Sequence, residues 1–105
     1  MMKIRIKFRK YGTMKFIGHL DVMRYFQKAI RRSEVNIRYS EGFSPHQIMS
    51  FAAPLGVGIT SKGEYVDIEV LDTENSKKMI DRLNAVMSEG FEILEYKLLP
   101  DLSLI

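Results

Sequence analysis

Residues 3 to 10 read KIRIKFRK, with Ile4, Ile6 and Phe8 on one side of an extended chain and Lys3, Arg5, Lys7 and Arg9 on the other. A strict two-residue alternation predicts a half-buried strand, apolar toward a core and cationic toward solvent. The elements that follow must supply the cover for one face of the sheet it joins.

After Tyr11-Gly12-Thr13, the apolar run Met14 to Ile17 reads as an extension of that strand or its hairpin arm. A helix is predicted from about His19 to Ser33, with Leu20, Met23, Phe26, Ala29 and Ile30 at helical spacing. Arg24, Lys28, Arg31 and Arg32 fall on its other faces. Residues 35–39, VNIRY, suit a short strand, and a loop then leads to a strand-like QIMSF and a Pro/Gly loop. Val66, Ile68 and Val70 alternate with Tyr65, Asp67 and Glu69 in a strand over Glu64 to Leu71. A second helix runs from about Ser76 to Met87, with Asp72 or Thr73 as its cap and Gly90 as its stop. In a final strand, Phe91 to Leu98, Phe91 and Ile93 point one way and Leu94, Tyr96 and Leu98 the other, so both faces ask for cover. The order is that of an α+β, ferredoxin-like βαββαβ domain, a mostly antiparallel sheet with two helices on one face. That topology sets the first strand beside the third, where Asp67 and Glu69 can pair with its cations.

The 105 residues make one domain, with a single core that needs no disulfide or metal. The absence of cysteine excludes thiol nucleophiles, thiolate zinc sites and cysteine-ligated iron–sulfur clusters in this chain. The alternating start has no signal-peptide core and no run reaches membrane-spanning length, so a cytoplasmic protein is expected. Residues 1–50 carry eleven Lys/Arg against three Asp/Glu, and residues 51–105 five against ten, a split of +8 and −5. Such a split means either a basic face for an anionic partner or two halves that neutralise each other.

The stretch at 39–58, YSEGFSPHQIMSFAAPLGVG, gathers one of two histidines, two of three prolines and three of seven glycines. It reads as a shaped loop and edge strand forming a recognition surface from Tyr39, Ser40, Gly42, Phe43, Pro45, His46, Ser50 and Phe51. His19 and His46, with Asp21 and Glu64 as orienting carboxylates, would make an acid–base rim or a weak metal site if they met. The competing reading, which we expect, has each histidine satisfying backbone groups at a helix start and a tight turn. Neither a catalytic residue nor a metal site is assigned. Ser40, Ser44 and Ser50 lack a nucleophile elbow and read as turn-capping hydroxyls. Gly42, Gly56, Gly58 and Gly63 form no phosphate-binding fingerprint and read as positive-φ turn positions. Phe43 and Phe51 could stack on a base, but aromatics flanking a buried loop are usually core, and the core is expected for both. Arg24, Lys28, Arg31 and Arg32 on the helix and the Lys/Arg row of residues 3–9 on the sheet, with Tyr11, Tyr25, Tyr39 and Tyr65 available to stack, suit an RNA-binding module using a basic helix and sheet edge, although no RNP motif is present and solvated surface charge is the alternative.

KYGTMKFIGHLDVMR at 10–24, the 39–58 stretch and SKGEYVDIEV at 61–70 together resemble the radical SAM-linked protein family, a domain of unknown function found beside or fused to radical SAM enzymes. The resemblance covers essentially the whole chain. It implies a non-catalytic accessory domain that docks on a radical SAM enzyme and helps present its substrate. The iron–sulfur cluster and S-adenosylmethionine would belong to that partner, with no cofactor in this chain. Family members are commonly about twice this length, so an N-terminal half, completed by a C-terminal domain or by a second copy, is expected. Gln47 stands where the family often has proline.

Overall fold

The computed structural model describes residues 2–12, 14, 17–51, 63–87 and 90–99. The chain runs β1 (Met2–Lys10), α1 (His19–Arg32), β2 (Met49–Phe51), β3 (Glu64–Val70), α2 (Ser76–Val86) and β4 (Phe91–Leu98). The sheet order is β2-β3-β1-β4 with every neighbouring pair antiparallel, which is the ferredoxin-like α+β arrangement. Ile4, Ile6 and Phe8 are fully buried on one face of β1, where Val66, Ile68 and Val70 from β3 join them. Phe26 and Ile30 from α1, and Met79 and Leu83 from α2, close over that same face.

On the other face, the β1 cations meet carboxylates across the strands. Arg5 holds Asp67 with two parallel bonds, Nε–Oδ1 at 2.9 Å and Nη2–Oδ2 at 3.0 Å. Arg9 pairs with Glu92, and Lys7 lies over the Tyr65 ring at 6.0 Å. Exposed pairs of this kind contribute at most about 1 kcal/mol each. Their larger effect is on register, because a one-residue slip of β1 would drive its cations into the core.

Four expectations change. Residues 35–39 form no named strand; they touch the sheet through isolated bridges, Ile37 to Val70 and Tyr39 to Gln47, and the second strand is β2. Leu20 is exposed on α1, and Val22, one turn before Phe26, takes the inward position. The α2 cap is Asn75, whose side chain accepts the Lys78 N–H at 2.9 Å. Asp72 instead accepts from Asn36, and Thr73 bonds the Tyr96 hydroxyl. Finally, β4 has one buried face: Lys7 faces Glu95 while Phe8 faces Ile93, so Leu94 is a bulge residue. The extra residue turns Phe91, Ile93 and Tyr96 all inward and leaves Leu98 exposed.

Two contacts lock α2 to its neighbours. Asn84 accepts the Ile93 N–H at 2.8 Å and donates to the Ile93 carbonyl at 3.2 Å, covering the middle of the β4 edge as a paired strand would. Arg82 donates to the Ser33 and Glu34 carbonyls at 2.5 and 3.0 Å, capping the end of α1. Glu34 there has a φ of +59°, the left-handed turn that ends many helices. Gly90 precedes β4 with a φ of +107°, and a β-carbon on it would collide with the Met14 side chain.

Asn84→Ala should cost about 1–3 kcal/mol, because both Ile93 groups lose their partner at a part-buried edge. Urea denaturation reads this, and a midpoint unchanged from wild type would show that water replaces the amide. Burial pushes the Tyr96 hydroxyl pKa up from its ordinary value, with the Thr73 bond acting the other way. A raised folded-state pKa means stability complete below about pH 10 and lost as pH rises through the folded value. Tyr96→Phe should therefore flatten the alkaline loss of stability, and an identical alkaline slope in both proteins would refute that assignment.

A candidate recognition surface on the β2 edge

The outer edge of β3 is paired by two segments in turn. Leu71 N–H bonds the Asn36 carbonyl at 2.9 Å and Arg38 N–H the Glu69 carbonyl at 2.8 Å. Glu69 N–H then bonds the Ile48 carbonyl, and β2 continues the pairing from Met49 opposite Ile68. Arg38 and Ile48 are thus adjacent, joined by an Ile48 N–H to Arg38 carbonyl bond at 3.0 Å. Residues 39–47 leave the sheet and return to it as an extruded loop.

The base of the loop is closed by its own residues. Ser40 N–H donates to the His46 carbonyl at 2.8 Å, and His46 N–H donates to Ser40 Oγ at 3.1 Å. Ser40 Oγ also lies 3.0 Å from His46 Nδ1, with the Ser44 carbonyl 3.4 Å from that nitrogen. His46 therefore spends Nδ1 inside the loop and keeps only Nε2 for anything outside. Gly42 turns the tip with a φ of +114°, a conformation that a side chain would strain.

Gln47 ties this loop to α1. It is buried, and its Nε2 donates to the Gln27 carbonyl at 3.1 Å. Its Oε1 is buried with no partner among the described residues. Period-two spacing from Met49 and Phe51 puts residue 47 on the inner face, which is the signal by which sequence could have found it. Phe51 itself packs edge-on against Phe8 and Phe26, with centroids at 6.1 and 5.7 Å.

The loop exposes what it does not use. Residues 41–46 are all exposed; Phe43, expected in the core, is fully exposed, and Tyr39 is 46% exposed. Nothing apolar lies beyond the loop to cover Phe43 among the described residues, whereas Phe51 returns to the sheet and is covered. Ser50 belongs to a different surface, opposite Asp67 on β3.

The four residues read as a rim lie on separate elements: α1, the 39–47 loop and β3. His19 opens α1, eight residues and about 12 Å along the helix from the Gln27 carbonyl that anchors the His46 loop. Glu64 pairs with Lys10 at 3.4 Å, and Asp21 is exposed in the first turn of α1. No group of three metal-ligating side chains occurs among the described residues. Gly63 is held by close approach to Lys7 rather than by a positive φ, and Gly56 and Gly58 lie outside the described residues.

The two basic regions behave differently. Arg5, Arg9, Lys10 and Lys97 are all ion-paired around the sheet. Arg24, Lys28, Arg31 and Arg32 are exposed along α1 without an ion-pair partner among the described residues. Tyr25 is stacked on Phe91, centroids 4.4 Å apart, so that aromatic serves the core.

Ser40→Ala removes the acceptor of the His46 N–H and the partner of its ring. Amide exchange at Ser40 and His46 should quicken by roughly tenfold while the global unfolding midpoint stays within about 0.5 kcal/mol of wild type. Unchanged protection at both amides would show that the hydroxyl does not hold the loop.

No curated protein and no solved structure matches the chain. Residues 3–104 match a family described as an uncharacterized protein conserved in bacteria, DUF2344, and a match over nearly the whole sequence makes this chain a member of that family.

Proposed function

We propose that this chain is a non-catalytic accessory domain that presents a substrate to a partner enzyme, with loop 39–47 as the presenting surface. The observation that carries the reading is the state of Phe43: a large apolar ring, fully exposed, on a loop whose base is closed by Ser40 and His46 and bonded to α1 through Gln47. A braced loop offering an uncovered ring loses little further entropy on binding and gains the burial of that ring. His46 adds one free ring nitrogen at the same place, and its other nitrogen is engaged within the loop. The resemblance of the 10–24, 39–58 and 61–70 segments to the radical SAM-linked family supports a radical SAM enzyme as the partner. In that arrangement the cluster and S-adenosylmethionine are the partner's.

Affinity purification of the tagged protein from its native host, with RNase present, should retain a radical SAM enzyme identified by mass spectrometry. Deletion of the domain should lower that enzyme's activity on its natural substrate. Absence of any radical SAM enzyme, together with unchanged activity after deletion, would overturn the assignment.

A further inference from the structure

Loop 39–47 is bonded to helix α1 through Gln47. Gln47 bonds the carbonyl of Gln27, and the helical neighbours of Gln27 three before and four after are Arg24 and Arg31, with Lys28 next in the chain. Four exposed cations without ion-pair partners among the described residues therefore run along the helix to which the loop with exposed Tyr39 and Phe43 is anchored. The acidic residues of the two elements are Asp21, at the far end of α1, and Glu41.

We infer that the substrate presented by this domain is single-stranded nucleic acid, with its phosphates along Arg24, Lys28, Arg31 and Arg32 and its unpaired bases stacked on Phe43 and Tyr39. The inference rests on the presenting-surface reading above and names the class of what is presented. Cations alone would suit any polyanion. Exposed rings on a loop anchored to the same helix select for a polymer that carries both negative charge and flat faces, which an acidic peptide lacks. A duplex hides those faces in its stack and can use only the helix. A membrane surface is disfavoured, because Val22, Phe26, Ala29 and Ile30, the apolar face of α1, are already buried in the core. The basic row on the sheet is a poorer candidate, since Arg5 and Arg9 would have to give up Asp67 and Glu92.

The test is fluorescence anisotropy of the purified chain with a labelled twelve-nucleotide RNA, its DNA counterpart, the same RNA as a duplex, and polyglutamate. Four phosphate contacts predict affinity for the single strands that falls roughly 50-fold between 50 and 200 mM salt. Replacing Arg24, Lys28, Arg31 and Arg32 with Gln should flatten that dependence. Phe43→Ala should weaken binding roughly 5- to 100-fold at every salt concentration and leave the salt slope unchanged. The arms with RNA and DNA show which sugar is preferred, and either one supports the inference. Equal affinity for duplex or polyglutamate, no binding at 50 mM salt, or indifference to Phe43→Ala would overturn it. Circular dichroism of each variant checks folding, and the double variant Arg24→Gln, Lys28→Gln reads the slope if the fourfold one unfolds. Enzyme retention without oligonucleotide binding removes this inference alone; oligonucleotide binding without a partner enzyme removes the accessory reading alone.

Discussion

The structure depends on the alternation of β1. That strand is flanked on both sides, by β3 and β4, so its pleat decides which face of the whole sheet is core. Ile4, Ile6 and Phe8 point to the helices, and the opposite row must then be polar in every strand it touches. Arg5 over Asp67 and Arg9 over Glu92 are the consequence: charges that a β1 register places together and that any one-residue slip would separate. The bulge at Leu94 is part of the same constraint, because without it the alternation of β4 would leave Tyr96 on the solvent face. Instead Tyr96 is buried, and its hydroxyl reaches Thr73.

The same constraint leaves the β2 side free to carry a loop. β3 needs its outer edge paired, and this is met piecewise, by residues 36–38 and then by residues 48–51. The gap between the pieces costs no sheet hydrogen bond, since Glu69 passes from Arg38 on one side to Ile48 on the other. A loop can therefore be extruded there without leaving an open edge. Gln47 gives the loop an inward anchor; proline at that position would offer no side-chain donor to Gln27.

Much of the fold was legible because the strands and helices announce themselves by period: KIRIKFRK, EYVDIEV and the apolar spacing of α1 and α2 each fit one template. The misreadings share a physical cause. Thr73 and Asp72 look like helix caps in isolation, but tertiary partners, Tyr96 and Asn36, claim them, and Asn75 is left to cap. The two-faced reading of β4 assumed unbroken alternation, and a single bulge reverses it. VNIRY has the composition of a strand, yet it is limited to isolated bridges because Tyr39 begins the excursion. For the loop, residue types marked an unusual segment but not its geometry. The contact of Ser40 with His46 follows from loop closure, and the bond from Gln47 to the Gln27 carbonyl follows from tertiary packing. Neither is encoded in spacing.

The contrast between paired and unpaired cations is where structure adds most to charge counting. The +8 of the first half is partly neutralised on the sheet, so only a fraction of it remains for a partner. A structural explanation for Arg31 and Arg32 would be attraction to the negative end of the α1 dipole. Both stand in the last turn, and Arg82 of α2 shares the role by donating to the Ser33 and Glu34 carbonyls at that end. Arg24 and Lys28 sit too far from the terminus for the dipole to matter. Helix propensity tolerates Arg and Lys at exposed positions, but neutral residues such as Gln and Ala serve as well there. Among the described residues, then, the dipole accounts for Arg31 and Arg32 but leaves Arg24 and Lys28 without a stabilising contact, and the proposed nucleic-acid strand is what would cover them.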